Sequence, residues 1–244
     1  MNIDKLIKLV ETLRKKCPWD REQTLNSLKN NIIEESYELV EAIDNNDISA
    51  IKEEIGDIVF LGFFLAKVFE EEKDISFDEL ILSTVKKYKD KHPHVFKEEN
   101  FSDQDAVLKF WQKSKDDIFA GIPKILPALL AAKIIQERTS KLGFDWETHR
   151  GPLEKINEEI KEIERSKNAE DVFEEFGDLL FACVNFSRHV SIDPEDALRY
   201  ANKKFVKRFR KVMEELKRRG KDIEVTDLEE MDRIWDEIKE QDEL

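Results

Sequence analysis

Two cysteines, seven glycines and six prolines in 244 residues leave this chain few of the devices of small or turn-rich folds. Cys17 and Cys183 stand in unrelated contexts, which excludes a disulfide framework and a zinc-type ligand spacing and leads us to expect a reducing compartment. Positive charge is also in deficit. Against 55 Asp and Glu stand 41 Lys and Arg, a net charge of −14, so a general binder of nucleic-acid polymers is excluded for want of a basic footprint. A phosphorylated small molecule is not excluded, because a bound metal and a few local cations can hold one. Long uninterrupted apolar runs are missing. The most apolar stretch, Ile55–Phe69, is short and carries Asp57 and Lys67, so no membrane span is expected. Met1-Asn2-Ile3-Asp4-Lys5 has no secretory pattern, and a cytoplasmic location is expected. No alternating strand pattern survives inspection, which leaves an all-α chain.

What the chain does contain, it contains twice. Glu34-Glu35-x-x-Glu38 followed by Glu54-Ile55-Gly56-Asp57 returns as Glu158-Glu159-x-x-Glu162 followed by Glu175-Phe176-Gly177-Asp178. The offsets are 158 − 34 = 124 and 175 − 54 = 121, so the copies are nearly in register. On a helix, Glu34, Glu35 and Glu38 fall within about a third of the circumference. The helix after them has Asp57 as its only ionisable residue from Ile55 to Ala66, and Asp178 stands similarly among Phe176, Leu179, Leu180 and Phe181. Such helices are expected to be buried, and a lone buried carboxylate is costly unless compensated. Neither block shows a lysine or arginine at facing spacing. A divalent cation is then the economical partner, and all-oxygen ligands favour Mg²⁺, with Mn²⁺ as a substitute, over zinc. A ferritin-like di-iron site is disfavoured because no histidine falls in either block. The plain alternative is a pair of solvated, Glu-rich faces.

Periodicity gives helices over residues 3–16, 25–43 and 49–71, a fourth opened by Ser76-x-x-Glu79, and a short one after Ser102-Asp103. After Gly121-Ile122-Pro123 and Pro127 the plan repeats over 129–141, 153–166 and 169–189, with a helix started by Asp193-Pro194 and a last one capped by Thr226-x-x-Glu229. This predicts two tandem four-helix units, residues 1–118 and 119–244, each completing a helical bundle by pairing with another copy. Two cationic pairs share helix faces at i, i+4: Lys87 with Lys91, and Lys204 with Arg208. They read as solubilising charge, or beside a metal site as a phosphate clamp. Trp111 with Lys115 and Trp235 with Lys239 have the same spacing. Each Trp reads as core, or as a platform for a base with Lys reaching phosphate.

The paired EExxE and ExxD patterns, with CPWDREQT, KHPHVF, LGFDWE, EEFGDLLFACVNFSRH and ANKKFVKRF in this order, resemble the MazG nucleoside triphosphate pyrophosphohydrolases over nearly the whole chain. The resemblance implies two all-α MazG-like units, Mg²⁺ dependence, a homodimer, and cleavage of NTPs or dNTPs between the α and β phosphates to NMP and pyrophosphate. It implies metal ligands Glu159, Glu162, Glu175 and Asp178, with Glu35, Glu38, Glu54 and Asp57 in the first copy. It also implies nucleotide contacts at Lys204, Arg208, Trp235 and Lys239, with Lys87, Lys91, Trp111 and Lys115 as looser counterparts. First-copy activity is less secure, since Lys91 replaces Arg208 and the tail spacing differs, 111 − 91 = 20 against 235 − 208 = 27. In the mechanism this suggests, Glu158 or Glu34 takes the proton of the attacking water. No base-reading constellation is identifiable, and broad base specificity is expected. The rival from another class is a non-catalytic nucleotide-sensing or partner-binding helical module.

Overall fold

The computed structural model describes residues 2–97, 107 and 117–242. Every described element is a helix, and the chain divides into two compact units, Met1–Ser102 and Asp103–Leu244. The expected helix after Ser102, with Trp111 and Lys115, lies outside the described residues.

In the first unit α1 (Asn2–Lys16) is stopped by Pro18, which opens the short α2 (Pro18–Glu22). The acidic hairpin follows as α3 (Lys29–Asp44) and α4 (Ile48–Lys73). Asp47 caps α4, accepting hydrogen bonds from the Ser49 and Ala50 amides at 3.0 and 3.1 Å. Ser76 caps α5 (Phe77–Lys91) through the Glu79 amide at 3.2 Å, as its capping box predicts, and α6 (Pro93–Phe96) follows. The core is Val10, Leu28, Phe64 and Val68. Arg14 locks its rim: its guanidinium binds the Gln23 carbonyl at 2.9 Å and the Asp20 carbonyl, and pairs with Glu71 near the end of α4.

The second unit repeats the hairpin as α7 (Ala128–Ser140), α8 (Arg150–Arg165) and α9 (Ala169–His189). α9 packs most extensively on α8 and also on α7. Asp193 caps α10 (Pro194–Arg218), accepting from the Glu195 and Asp196 amides, both at 3.0 Å. α10 packs on α11 (Leu228–Asp242) around Val212, Leu216, Ile234 and Ile238. The cap of α11 corrects the sequence expectation. Asp227, not Thr226, accepts from the Glu230 amide at 2.8 Å, while the Thr226 hydroxyl is spent on the Asp222 carbonyl at 2.6 Å.

A second correction concerns α4 and α9. Both are apolar, yet only their C-terminal halves are buried, at Phe64, Ala66 and Val68 and at Ala182 and Val184. The N-terminal halves are open: Ile48 is 76% and Phe173 83% exposed, and Asp57 and Asp178 are exposed with them. Periodicity counts apolar residues but not their cover, and the neighbouring helices leave these N-terminal halves partly open.

Candidate metal and nucleotide site

In the second unit α8 and α9 bring the predicted acids together. Glu158, Glu159 and Glu162 offer carboxylate oxygens all within 4.8 Å of one another, and so do Glu159, Glu175 and Asp178. Glu159 belongs to both groups and is the buried member, only 1% exposed. The four expected ligands thus fall in two overlapping trios that share Glu159, with the expected base Glu158 in the first. The donor set is all carboxylate oxygen, which suits a hard divalent cation. In the first unit Glu35, Glu38 and Glu54 converge within the same limit, while Glu34 and Asp57 fall outside that group.

The electrostatics separate the copies. Desolvation, followed by the charges of Asp57, Glu38, Glu54 and Glu34, pushes the Glu35 carboxyl above its usual range. Desolvation with Glu38, Asp57 and Glu53 does the same to Glu54. In the second copy Glu175 is raised by desolvation, Glu162, Glu159 and Asp178. Glu159 is held low instead, by its hydrogen bond with Lys155 against the opposing pull of burial. This overturns the expectation that no cation faces the acids. The Lys155 ammonium contacts Glu159 Oε1 and lies 3.0 Å from Glu158 Oε1, and its own pKa is raised in turn. The spacing was visible, since Lys155 precedes Glu158 and Glu159 by three and four residues. The first-copy counterpart, 155 − 124 = 31, is Asn31.

A cavity of about 560 Å³ opens beside this cluster. Lys155, Glu159 and Asp178 stand in its wall, with Phe144, Trp146, Phe181 and Ala182 as apolar surface and Gln136, Asn185 and Arg188 as further polar lining. Along α9 the sequence from Asp178 through Phe181 and Ala182 to Asn185 and Arg188 follows one face at helical spacing. Trp146 is seated on the first turn of α8: a Cβ at Gly151 would lie 2.2 Å from its ring. Asp145, beside it, binds Arg188 in a fork, with Nη1 to Oδ2 at 2.8 Å, and meets His189 Nε2 at 3.0 Å. Burial works to raise the Asp145 carboxyl, but these bonds outweigh it and hold the group low.

The remaining expected contacts sit elsewhere. Lys204 lies over the Tyr200 ring at 5.8 Å, and Trp235 packs on Phe205 at 5.1 Å beside the α10–α11 core. Neither these two nor Arg208 and Lys239 line the cavity, although α10 packs against both α7 and α9. Lys87 and Lys91 are exposed on α5. Sequence reading missed Lys155, Gln136, Asn185 and Arg188; Lys155 with Glu159 at i, i+4 and Asn185 with Arg188 at i, i+3 had spacings that could have revealed them.

Comparison with known proteins bears on the family. The MazG nucleotide pyrophosphohydrolase domain matches residues 23–96, the first acidic copy. The nucleoside triphosphate pyrophosphohydrolase/pyrophosphatase MazG of Thermotoga maritima is 40% identical over 98% of this chain and 96% of its own. The nucleoside triphosphate pyrophosphohydrolase of Escherichia coli K12 is 36% identical over 98% and 97%. A crystal structure of a mazG-related protein from Thermotoga maritima is 29% identical, covering 45% of this chain and 96% of that one, with a TM-score of 0.42. Identity of this order, running through both acidic copies and nearly the whole of each partner, leaves one assignment: the chain belongs to the MazG nucleotide pyrophosphohydrolase family.

Proposed function

We propose that the protein hydrolyses nucleoside triphosphates between the α and β phosphates, giving NMP and pyrophosphate, with Mg²⁺ or Mn²⁺ and with broad base tolerance. One observation carries this reading. Five carboxylates from α8 and α9 form two trios that share Glu159, and Glu159, Asp178 and Lys155 stand in the wall of one cavity. Family membership supports the reaction type.

Glu159, Glu162, Glu175 and Asp178 would hold the cation, which when bound lowers the pKa of a water and offsets phosphate charge. Glu158 lies at the edge of that group and takes the proton of the attacking water. The water oxygen bonds the α phosphorus, the bridging oxygen to the β phosphorus leaves with its electron pair, and pyrophosphate departs. Lys155 balances charge on the phosphates from within the cavity wall, and we assign Lys204 and Arg208, on the adjoining α10, to the same task. Trp235 and Lys239 extend that surface.

The open apolar halves of α4 and α9, with Ile55 and Val59 on one and Phe173 and Phe176 on the other, support assembly as a homodimer. Among the described residues no helix is long and apolar enough to cross a membrane. The scarcity of cysteine supports a reducing, cytoplasmic setting. For the first unit, binding without turnover is a second reading. It rests on Asn31 in place of Lys155 and on Asp57 outside the acid group.

A malachite-green assay with and without added inorganic pyrophosphatase tests the reaction. Phosphate is expected from ATP and dNTPs only when the helper enzyme is present. Phosphate without it would mean γ cleavage and overturn the proposal.

A further inference from the structure

We infer that the cavity beside the acids receives the base of the nucleotide, and that Gln136 Oε1 and Asn185 Nδ2 read its hydrogen-bonding edge. The inference rests on the pyrophosphohydrolase reading and adds to it the subsite that holds the base.

Gln136 is the strongest sign. It is only 4% exposed, lies on α7 in the cavity wall, and donates from Nε2 to the Phe181 carbonyl at 2.8 Å. A carbonyl can only accept, so the amide nitrogen must face Phe181 and Oε1 must point away from it. That Oε1 is buried and has no hydrogen-bond partner among the described residues. Buried acceptors are nearly always satisfied, and a ligand in the cavity would supply the donor this one lacks.

Asn185 supplies the complement. Its Oδ1 accepts from Arg188 Nη2 at 2.8 Å. A guanidinium can only donate, so Oδ1 is fixed there and Nδ2 remains a donor for whatever enters. Arg188 is itself held by the Asp145 fork, and its buried Nε has no partner among the described residues. The asparagine is therefore oriented by an ion pair that a ligand need not touch.

The placement suits a nucleotide. Asn185 follows Asp178 by seven residues on α9, a rise of about 10 Å. An α phosphate at the acids and a base edge at Asn185 can be joined by a ribose across that interval. Phe181 and Trp146 offer faces for the base in between. Each standard base presents a donor next to an acceptor on its pairing edge, and adenine offers both, its amino group to Oε1 and its ring nitrogen to Nδ2.

The test compares ATP with purine riboside triphosphate, which lacks the amino donor, and with ribose 5-triphosphate, which lacks the base. The protein should prefer ATP over purine riboside triphosphate by about tenfold or more in kcat/KM, the scale of one unpaired buried group. Gln136→Leu should bring that ratio within about twofold of one. Asn185→Ala should lower the preference for ATP over ribose 5-triphosphate by about tenfold, and it decides the matter if the Gln136 variant melts early. Adenosine and purine riboside binding, read by tryptophan fluorescence, runs in parallel without turnover. If NTPs are cleaved but ATP and purine riboside triphosphate are used equally, the inference falls and the reaction stands. If no NTP is cleaved, yet adenosine binds in preference to purine riboside and Gln136→Leu abolishes the preference, the reaction falls and the base site stands. Equal binding of both nucleosides would overturn the base site in either case.

Discussion

In the second unit the innermost acid, Glu159, has Lys155 one turn before it; in the first, Glu35 has Asn31. The two hairpins share their acids and their spacing, yet this one exchange inverts the local electrostatics. Glu159 is held below its ordinary pKa by an ammonium, while Glu35 is pushed above it by desolvation and four neighbouring carboxylates. A second exchange goes with it. Gly151, which lets Trp146 lie against α8, has Ser27 as its counterpart, 151 − 124 = 27. A duplicated ligand set is therefore not a duplicated site: what surrounds the acids decides what they can hold.

The sharpest way to break this comparison is to neutralise one acid in each copy. Asp178→Asn should lower pyrophosphate release by about a hundredfold or more, the scale of losing one charge-stabilising group. Asp57→Asn should cost less than about twofold. Equal losses would put the first unit on the same footing as the second. Next, Lys155→Asn, which gives the second copy the first copy's residue, should reduce kcat/KM by about tenfold through loss of a charge-assisted contact. The reciprocal Asn31→Lys should lower the pKa of Glu35, measurable by NMR titration of its carboxyl carbon. Gly151→Ala forces a methyl into the Trp146 ring and should destabilise the second unit by about 1–3 kcal/mol in chemical denaturation. Ser27→Ala meets no ring but removes a hydroxyl that accepts from the Thr24 amide at 2.9 Å and donates to Gln23 Oε1 at 2.8 Å, so it should cost less, about 0.5–1 kcal/mol.

The smallest effect concerns pH. Glu54 has a raised pKa in the folded state, so the native protein keeps a proton that the unfolded chain has already lost. The stability this contributes is complete below the unfolded pKa and disappears as pH rises through the folded one. At neutral pH the ionised cluster repels itself. Glu54→Gln should raise Tm slightly at pH 7 and leave it unchanged near pH 4, as read by calorimetry in chelator. A Tm rise at both values would remove charge repulsion as the cause.

Much of this was legible in the sequence because it repeats at fixed periods. Ala169–His189 was found at both ends because its apolar pattern is continuous and Asp193-Pro194 starts the next helix. The metal-type acids were found because two helices carry them in register. Lys155 escaped because a lysine one turn from a glutamate is ordinary in a chain that is 39% charged. Gln136 and Asn185 escaped for the opposite reason. Each is a single amide in a helix: the packing of α7 on α9 turns Gln136 to the Phe181 carbonyl, and Asn185 meets a guanidinium one turn along its own helix. The half-open state of α4 and α9 was hidden because a sequence records which residues are oily and not which have a neighbour.

The lysine paired with Glu159 has a bearing on how the protein lives without its ion. A buried carboxylate that already has an ammonium against it can wait, so chelation should silence the second unit without unfolding it. A divalent cation bound there would have to displace that ammonium, which would weaken its hold and speed its exchange, in the manner of a valve rather than a rivet.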